Sequence, residues 1–198
     1  ESSGTADVLA LGAGITANDV RIERYGTTTL DVYIGTEKIR INNQLYDYIN
    51  NANNGYAVET LRLADNSTID LVHNLTLKGT SAGESISGLS DNNTLIGLGG
   101  VDTLNGDAGN DTYVWNIGDG NDTVNETSGT DKLLLGADIT ANDVRLERFS
   151  SYDLYVYIGT ERVRLSGQLQ FAIAGTQPGK VIETLQFSDN STIDLVNN

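Results

Sequence analysis

Between residues 79 and 134 an apolar residue returns every nine positions, and no other feature restricts the backbone so tightly. The units read GTSAGESIS (79–87), GLSDNNTLI (88–96), GLGGVDTLN (97–105) and GDAGNDTYV (106–114). After the two-residue insertion Trp115-Asn116 come IGDGNDTVN (117–125) and ETSGTDKLL (126–134). The eighth position is Ile86, Leu95, Leu104, Tyr113, Val124 and Leu133, all apolar. The sixth is Glu84, Asn93, Asp102, Asp111, Asp122 and Asp131, all able to present an oxygen. One inward residue in nine cannot line a helix face. It fits a coil in which three residues form a short strand, six form a turn, and the next unit runs back. Units n and n+2 then stack as parallel strands about 4.8 Å apart. Glycines supply the positive φ values of the turns.

Such stacking sets Asp102 between Glu84 and Asp122, and Asp111 between Asn93 and Asp131. Like charges one strand spacing apart repel unless a cation lies between them. Ca²⁺ takes six to eight hard oxygens in flexible geometry. Four pairs follow: Glu84 with Asp102, Asn93 with Asp111, Asp102 with Asp122, and Asp111 with Asp131. About three to four ions are expected. Asp119 and Asp107 lie in turns and could add oxygens. The insertion is expected to distort the lower two sites. Asp102 and Asp111, in mid-column, are expected to matter more than Asp122 and Asp131 at the end, and Glu84 least.

The charge balance agrees. Twelve Lys+Arg face 27 Asp+Glu, a net charge of −15. That opposes nucleic acid and anionic membranes and favours multivalent cations. There is no cysteine, so a metal must take the place of disulfide staples. No 18-residue apolar run exists for a membrane span, and no signal peptide is visible.

The flanks are a duplication. Residues 7–74 align without a gap on 131–198, with 38 of 68 positions identical. ITANDVRIER (15–24) returns as ITANDVRLER (139–148), and DNSTIDLV occurs at 65–72 and 189–196. Each copy reads as β: a capping box at Thr16–Asp19, strand alternation from Val20, a hairpin over Leu30–Ile41, and closing strands at 58–63 and 68–72. Gln44–Asn50 is expected to be a short helix. Three segments result: a β module at 1–74, a nonapeptide block at 75–134, and a second module copy at 135–198.

The stretches GGVDTL, GNDTYV and GDGNDTV resemble the RTX, or haemolysin-type, calcium-binding repeats, and the flanks resemble the haemolysin-type calcium-binding-related domain. The resemblance implies an all-β fold: a central calcium-bound parallel β-roll, an RTX solenoid, between two homologous β modules. It implies carbonyl ligands from turn positions one to four, which are Gly97, Gly99, Gly100, Gly106, Ala108 and Gly109 here, and a side chain from position six. Glu84 and Asn93 depart from the aspartate of that pattern. It further implies type I secretion from a Gram-negative bacterium.

Other chemistries have less behind them. His73 is the single histidine, so no zinc site can be assembled from histidines. The paired acids Glu23/Glu147, Glu59/Glu183, Asp65/Asp189 and Asp70/Asp194 recur with their strands and read as structural rather than as glycosidase carboxylates. Tyr33, Tyr157 and Trp115 could form a sugar platform, but aromatics on a strand more often cover a core edge. The expected function is a non-catalytic calcium-binding segment of a larger secreted protein that folds on meeting extracellular calcium. The alternative is a calcium-scaffolded adhesin or carbohydrate-binding module with a glycan or cell-surface ligand. Neighbouring repeats of the parent chain are expected as partners, because Glu1–Thr5 matches the end of the nonapeptide block at 126–130.

Overall fold

The computed structural model describes residues 7–46, 49, 57–169 and 181–196. Part of the expected 44–50 helix, the opening residues Glu1–Thr5 and the second flank's closing Asn198 lie outside them. The chain divides into two compact units, Glu1–Leu77 and Lys78–Asn198.

The first unit holds β1 (Val8–Ala10), β2 (Val20–Tyr25), β3 (Thr29–Ile34), β4 (Glu37–Ile41), β5 (Thr60–Arg62) and β6 (Thr68–Asp70), with β7 (Thr76–Lys78) at the boundary. The capping box forms: the Asp19 carboxylate accepts the Thr16 N–H at 2.8 Å and its hydroxyl at 2.7 Å. One 3-10 turn results, Ala17–Asp19. β2, β3 and β4 make an antiparallel meander in which Val32 pairs with Ile22 and Ile39. β5 pairs parallel with β1 and antiparallel with β6. Gln44, fully buried, ties the unit together. Its amide donates to the Val58 carbonyl at 2.7 Å and accepts the Val58 N–H at 2.8 Å.

The second unit is a two-sheet roll. Its strands are β8 (Ser85–Ser87), β9 (Thr94–Ile96), β10 (Thr103–Asn105), β11 (Thr112–Trp115), β12 (Asn121–Asn125), β13 (Asp131–Leu135), β14 (Val144–Arg148), β15 (Leu154–Ile158), β16 (Glu161–Leu165), β17 (Ile182–Gln186) and β18 (Thr192–Asp194). One sheet runs β8, β10, β12, β16, all parallel; the other runs β9, β11, β13, β17, also parallel. The pairing is n with n+2. Leu104 sits between Ile86 and Val124, and Tyr113 between Leu95 and Leu133. These eighth-position residues pack into one core cluster with Leu165, Leu185 and Phe187.

The duplicated sequence enters this roll directly. β16 and β17 supply the next coil, with Leu165 beside Val124 and Leu185 beside Leu133. The direction then reverses, because β15 lies antiparallel on β16 and β18 antiparallel on β17. The 115–116 insertion leaves the β10/β12 and β11/β13 registers continuous, and the register shifts only further on, between Asp131 and Lys132 where β13 pairs β17. Trp115 lengthens β11 and pairs with Leu135, and Asn116–Asp119 close as a turn through the Asp119 carboxylate, which accepts the Asn116 N–H at 2.7 Å. Trp115 is 2% exposed, so it offers no face to a sugar. Tyr33 and Tyr157 each carry a guanidinium over the ring, from Arg21 at 4.0 Å and Arg145 at 4.1 Å.

The repeated aspartates serve their own backbone. Asp65 and Asp189 each accept a serine N–H at 2.9 Å, from Ser67 and Ser191, and Asp70 and Asp194 accept those of Val72 and Val196. One exchange between the copies is informative. Arg40 forks onto Asp31 with two 2.7 Å bonds, but residue 155, the counterpart of Asp31, is tyrosine. Arg164, the counterpart of Arg40, takes Asp153 instead at 2.6 Å. The charge moved along the strand and the pair was kept.

Candidate metal centre

The sixth-position carboxylates stand in two columns, one beside each sheet, and each replaces a rung of backbone hydrogen bonding. Asp102 accepts the Glu84 N–H at 2.7 Å, and Asp122 accepts the Asp102 N–H at 2.9 Å. In the other column Asp111 accepts from Asn93 at 2.6 Å and Asp131 from Asp111 at 2.7 Å. An aspartate oxygen projects far enough to meet the N–H one coil away, where the strand has already turned off. This explains the residue type at position six independently of any metal. The Asp131 N–H goes on to Glu183 at 2.7 Å, so this column does not end at Asp131. The expected lesser weight of Asp131 therefore loses its premise.

One oxygen of each carboxylate is thus taken. The second oxygens of Asp102, Asp111 and Asp131, and the side-chain oxygen of Asn93, are buried with no hydrogen-bond partner. These residues are 1–2% exposed. A bare buried carboxylate oxygen is costly, and its protonation responds accordingly. Burial, reinforced by the neighbouring acids, pushes Asp111 and Asp122 up to about 7 and Asp131 to about 6, against the N–H bonds that pull them down. Asp102 moves in the same direction for the same leading reason. A hard cation among these oxygens would satisfy them and hold them ionised.

The glycines fit that chemistry in two ways. At position one a Cβ would strike the unit's own sixth side chain: Gly79 against Glu84, Gly88 against Asn93, Gly97 against Asp102, Gly106 against Asp111. The carbonyl oxygens of Gly97 and Gly106 also occupy the space a Cβ on Gly79 and Gly88 would need, one coil back. At position four, Gly100, Gly109, Gly120 and Gly129 hold φ between 99° and 148°, and a carbonyl of the neighbouring coil occupies the space a Cβ would need. Gly99 has only ordinary contacts, and Ala108 bridges to Ser128. Position two is left-handed without glycine at Leu98 (φ 63°) and Asp107 (φ 77°). Carbonyls and carboxylates therefore crowd one side of each turn, a donor set of the all-oxygen kind that Ca²⁺ takes.

The remaining expected positions differ in role. The Glu84 carboxylate turns back to accept the Thr80 N–H at 3.0 Å and the Thr80 hydroxyl. Asn93 donates its amide to the carbonyls of Leu89 and Asp91, leaving its oxygen free. Asp119 is spent on its own turn.

Sequence reasoning missed Glu126. Its carboxylate meets the Tyr113 hydroxyl, and burial pushes it up to about 8, helped by Asp131 and Asp111. Asp111, Glu126 and Asp131 each offer an oxygen, all within 4.8 Å of one another. The signal was present: position one is glycine in four units and glutamate here. The letters G-x-S-x-G, which the sequence reading took to be absent, do occur at Gly79–Gly83. A strand follows them rather than the helix of a nucleophile elbow, and they form a roll turn.

Among the described residues no helix is long and apolar enough to cross a membrane. No curated protein matches the chain. The crystal structure of the extracellular lipase LipA from Serratia marcescens is similar over 81% of this chain and 31% of that one, at 17% identity and a TM-score of 0.33. The chain thus spans less than a third of that protein. The family model of the RTX calcium-binding nonapeptide repeat, in four copies, matches residues 78–113. With the nine-residue period, the n to n+2 register and the orphaned carboxylate oxygens, residues 78–113 are RTX calcium-binding nonapeptide repeats folded as a parallel β-roll.

Proposed function

We propose that this chain is a non-catalytic, calcium-binding segment of a larger secreted protein and that its roll folds on exposure to extracellular calcium. The observation that carries the reading is the set of buried carboxylate oxygens without partners on Asp102, Asp111 and Asp131. Calcium would lie between coils, held by Glu84, Asn93, Asp102, Asp111, Asp122 and Asp131 from position six. Carbonyls of Gly97, Gly99, Gly100, Gly106, Ala108 and Gly109 would complete each shell. About three to four ions fit the four column pairs. The nonapeptide block 75–134 is the calcium-dependent part, and the modules 1–74 and 135–198 flank it.

Extracellular calcium modules bind at about 10⁻⁴–10⁻³ M. Below that level the buried acids oppose folding, so a low-calcium cytosol would leave the block extended and exportable. This fits type I secretion. Metal binding energy then becomes folding energy. Far-ultraviolet circular dichroism of the 198-residue chain in EDTA and in millimolar calcium tests the reading. A gain of strand signal with calcium is expected; superimposable spectra at neutral pH would sink it.

A further inference from the structure

We propose that Glu126 is itself a calcium ligand, and that with Asp111 and Asp131 it forms a site of three side-chain carboxylates against Gly106 that binds tightest in the roll. The inference rests on the calcium-binding reading above and assigns a residue outside the repeat pattern to it.

Distance comes first. Calcium–oxygen bonds run about 2.3–2.6 Å, so two ligands on opposite sides of one ion are at most about 5 Å apart. Oxygens of Asp111, Glu126 and Asp131 lie within 4.8 Å of one another. A single ion reaches all three.

Free valence comes second. Asp111 and Asp131 are each 1% exposed. One oxygen of each is engaged by an N–H of the adjacent coil, and the other has no partner. Glu126 differs, because each of its oxygens already has one partner. Its Oε2 accepts the Thr127 N–H at 3.0 Å, and its Oε1 turns inward to the Tyr113 hydroxyl and into the space a Cβ on residue 106 would fill. The inward turn is possible only because residue 106 has no side chain.

Charge comes third. Among the described residues this is the one group of three acidic side chains whose oxygens come within 4.8 Å of one another, and in the upstream pair that contains Asn93 only one member is a carboxylate. Glu126 raises the last site to three, and calcium affinity rises with ligand charge count. Filling it would order the coil that abuts β17, giving the array a fixed end from which upstream coils can stack.

The competing role for Glu126 is a plain hydrogen bond to Tyr113. Calcium titration calorimetry on the 198-residue chain separates the two, using Glu126→Gln, Glu126→Gly and Tyr113→Phe. Glutamine keeps an acceptor for the hydroxyl, and glycine is the residue four other units carry there. Both Glu126 variants should lose the tightest step or weaken it at least about tenfold, while Tyr113→Phe should stay near wild type. Unchanged tightest binding in both Glu126 variants would overturn the assignment, as would a Tyr113→Phe loss equal to that of Glu126→Gln. A wild-type chain that takes up no calcium would instead overturn the reading on which the assignment rests.

Discussion

Raising the pH in the absence of calcium should unfold the roll. The perturbation acts on Asp111 and Asp122, whose carboxyls rise from 3.8 to about 7 in the folded chain, and on Asp131, which rises to about 6. A folded pKa above the unfolded one means the folded state holds the proton longer. The associated stability is fully present below about pH 4 and is lost as pH climbs through about 6 to 7. Each pKa unit corresponds to about 1.4 kcal/mol, so a shift of about three units gives about 4 kcal/mol. Solvent near the turns and sharing of protons along a column reduce this to about half. Three carboxylates together then contribute about 5 kcal/mol, comparable with the whole stability of many domains. About two thirds of that loss falls between pH 5 and pH 8, so the melting temperature in EDTA should fall by about 5–15 °C across that window. Ordinary surface acids are already ionised across that window and cannot produce the slope. With saturating calcium the slope should vanish, because the ion holds the carboxylates charged. Melting followed by circular dichroism in EDTA at half-unit pH steps is the assay. A flat or rising profile from pH 5 to 8 would refute the reasoning.

The first unit should show the opposite sign: Arg40 holds Asp31 below the usual carboxylate range, so stability is lost as pH falls below about 4; Asp31→Asn should remove that acid-side loss in residue-resolved amide exchange. Gly106→Ala places a methyl where Asp111, Tyr113 and Glu126 converge, and its calcium midpoint for folding should rise at least about tenfold by circular dichroism, since about 1–3 kcal/mol of overpacking falls on the site. Trp115→Ala should cost about 3–5 kcal/mol in the calcium-bound state, measured by denaturant unfolding, because the ring is fully packed and its N–H meets the Gly120 carbonyl at 3.3 Å. Asp131→Ala should damage calcium-dependent folding as much as Asp111→Ala, since Glu183 carries the column past it; a near-neutral Asp131 variant would contradict that.

Much of the roll was legible because its rule is local and periodic. Position eight and position six repeat every nine residues, and an n to n+2 stack is the arrangement that buries the first set continuously. The reason for glycine at position one was not legible. Sequence suggested room for an ion, whereas the space is filled first by the unit's own sixth side chain, as at Gly97 and Asp102. Nor was the hydrogen bond from each position-six N–H to the next carboxylate, which needs the coil rise in three dimensions. Sequence reading set Gln44 at the start of a short helix and gave Gln168 no role. They are buried clamps across 14 residues, Gln168 bonding Ile182 as Gln44 bonds Val58. A polar side chain that completes a distant strand leaves no periodic trace. Trp115 sits in the core, as a strand aromatic more often does, because the insertion lengthens β11 and carries the ring inward.

The antiparallel strands that close the roll bear on assembly. A stack of parallel coils has no intrinsic last member, and its terminal coil presents unpaired N–H and C=O groups to any similar coil, the geometry by which fibres elongate. Here β15 and β18 run against the direction of growth and take up those groups on both sheets. Beyond β15, the outer strand β14 is largely exposed and sets Arg145, Glu147 and Arg148 along the rim, with Arg145 and Glu147 paired. β18 is only three residues long. Charged and abbreviated edges are poor templates for another strand. The duplicated sequence thus acts as a chain terminator for a structure that would otherwise be free to polymerise.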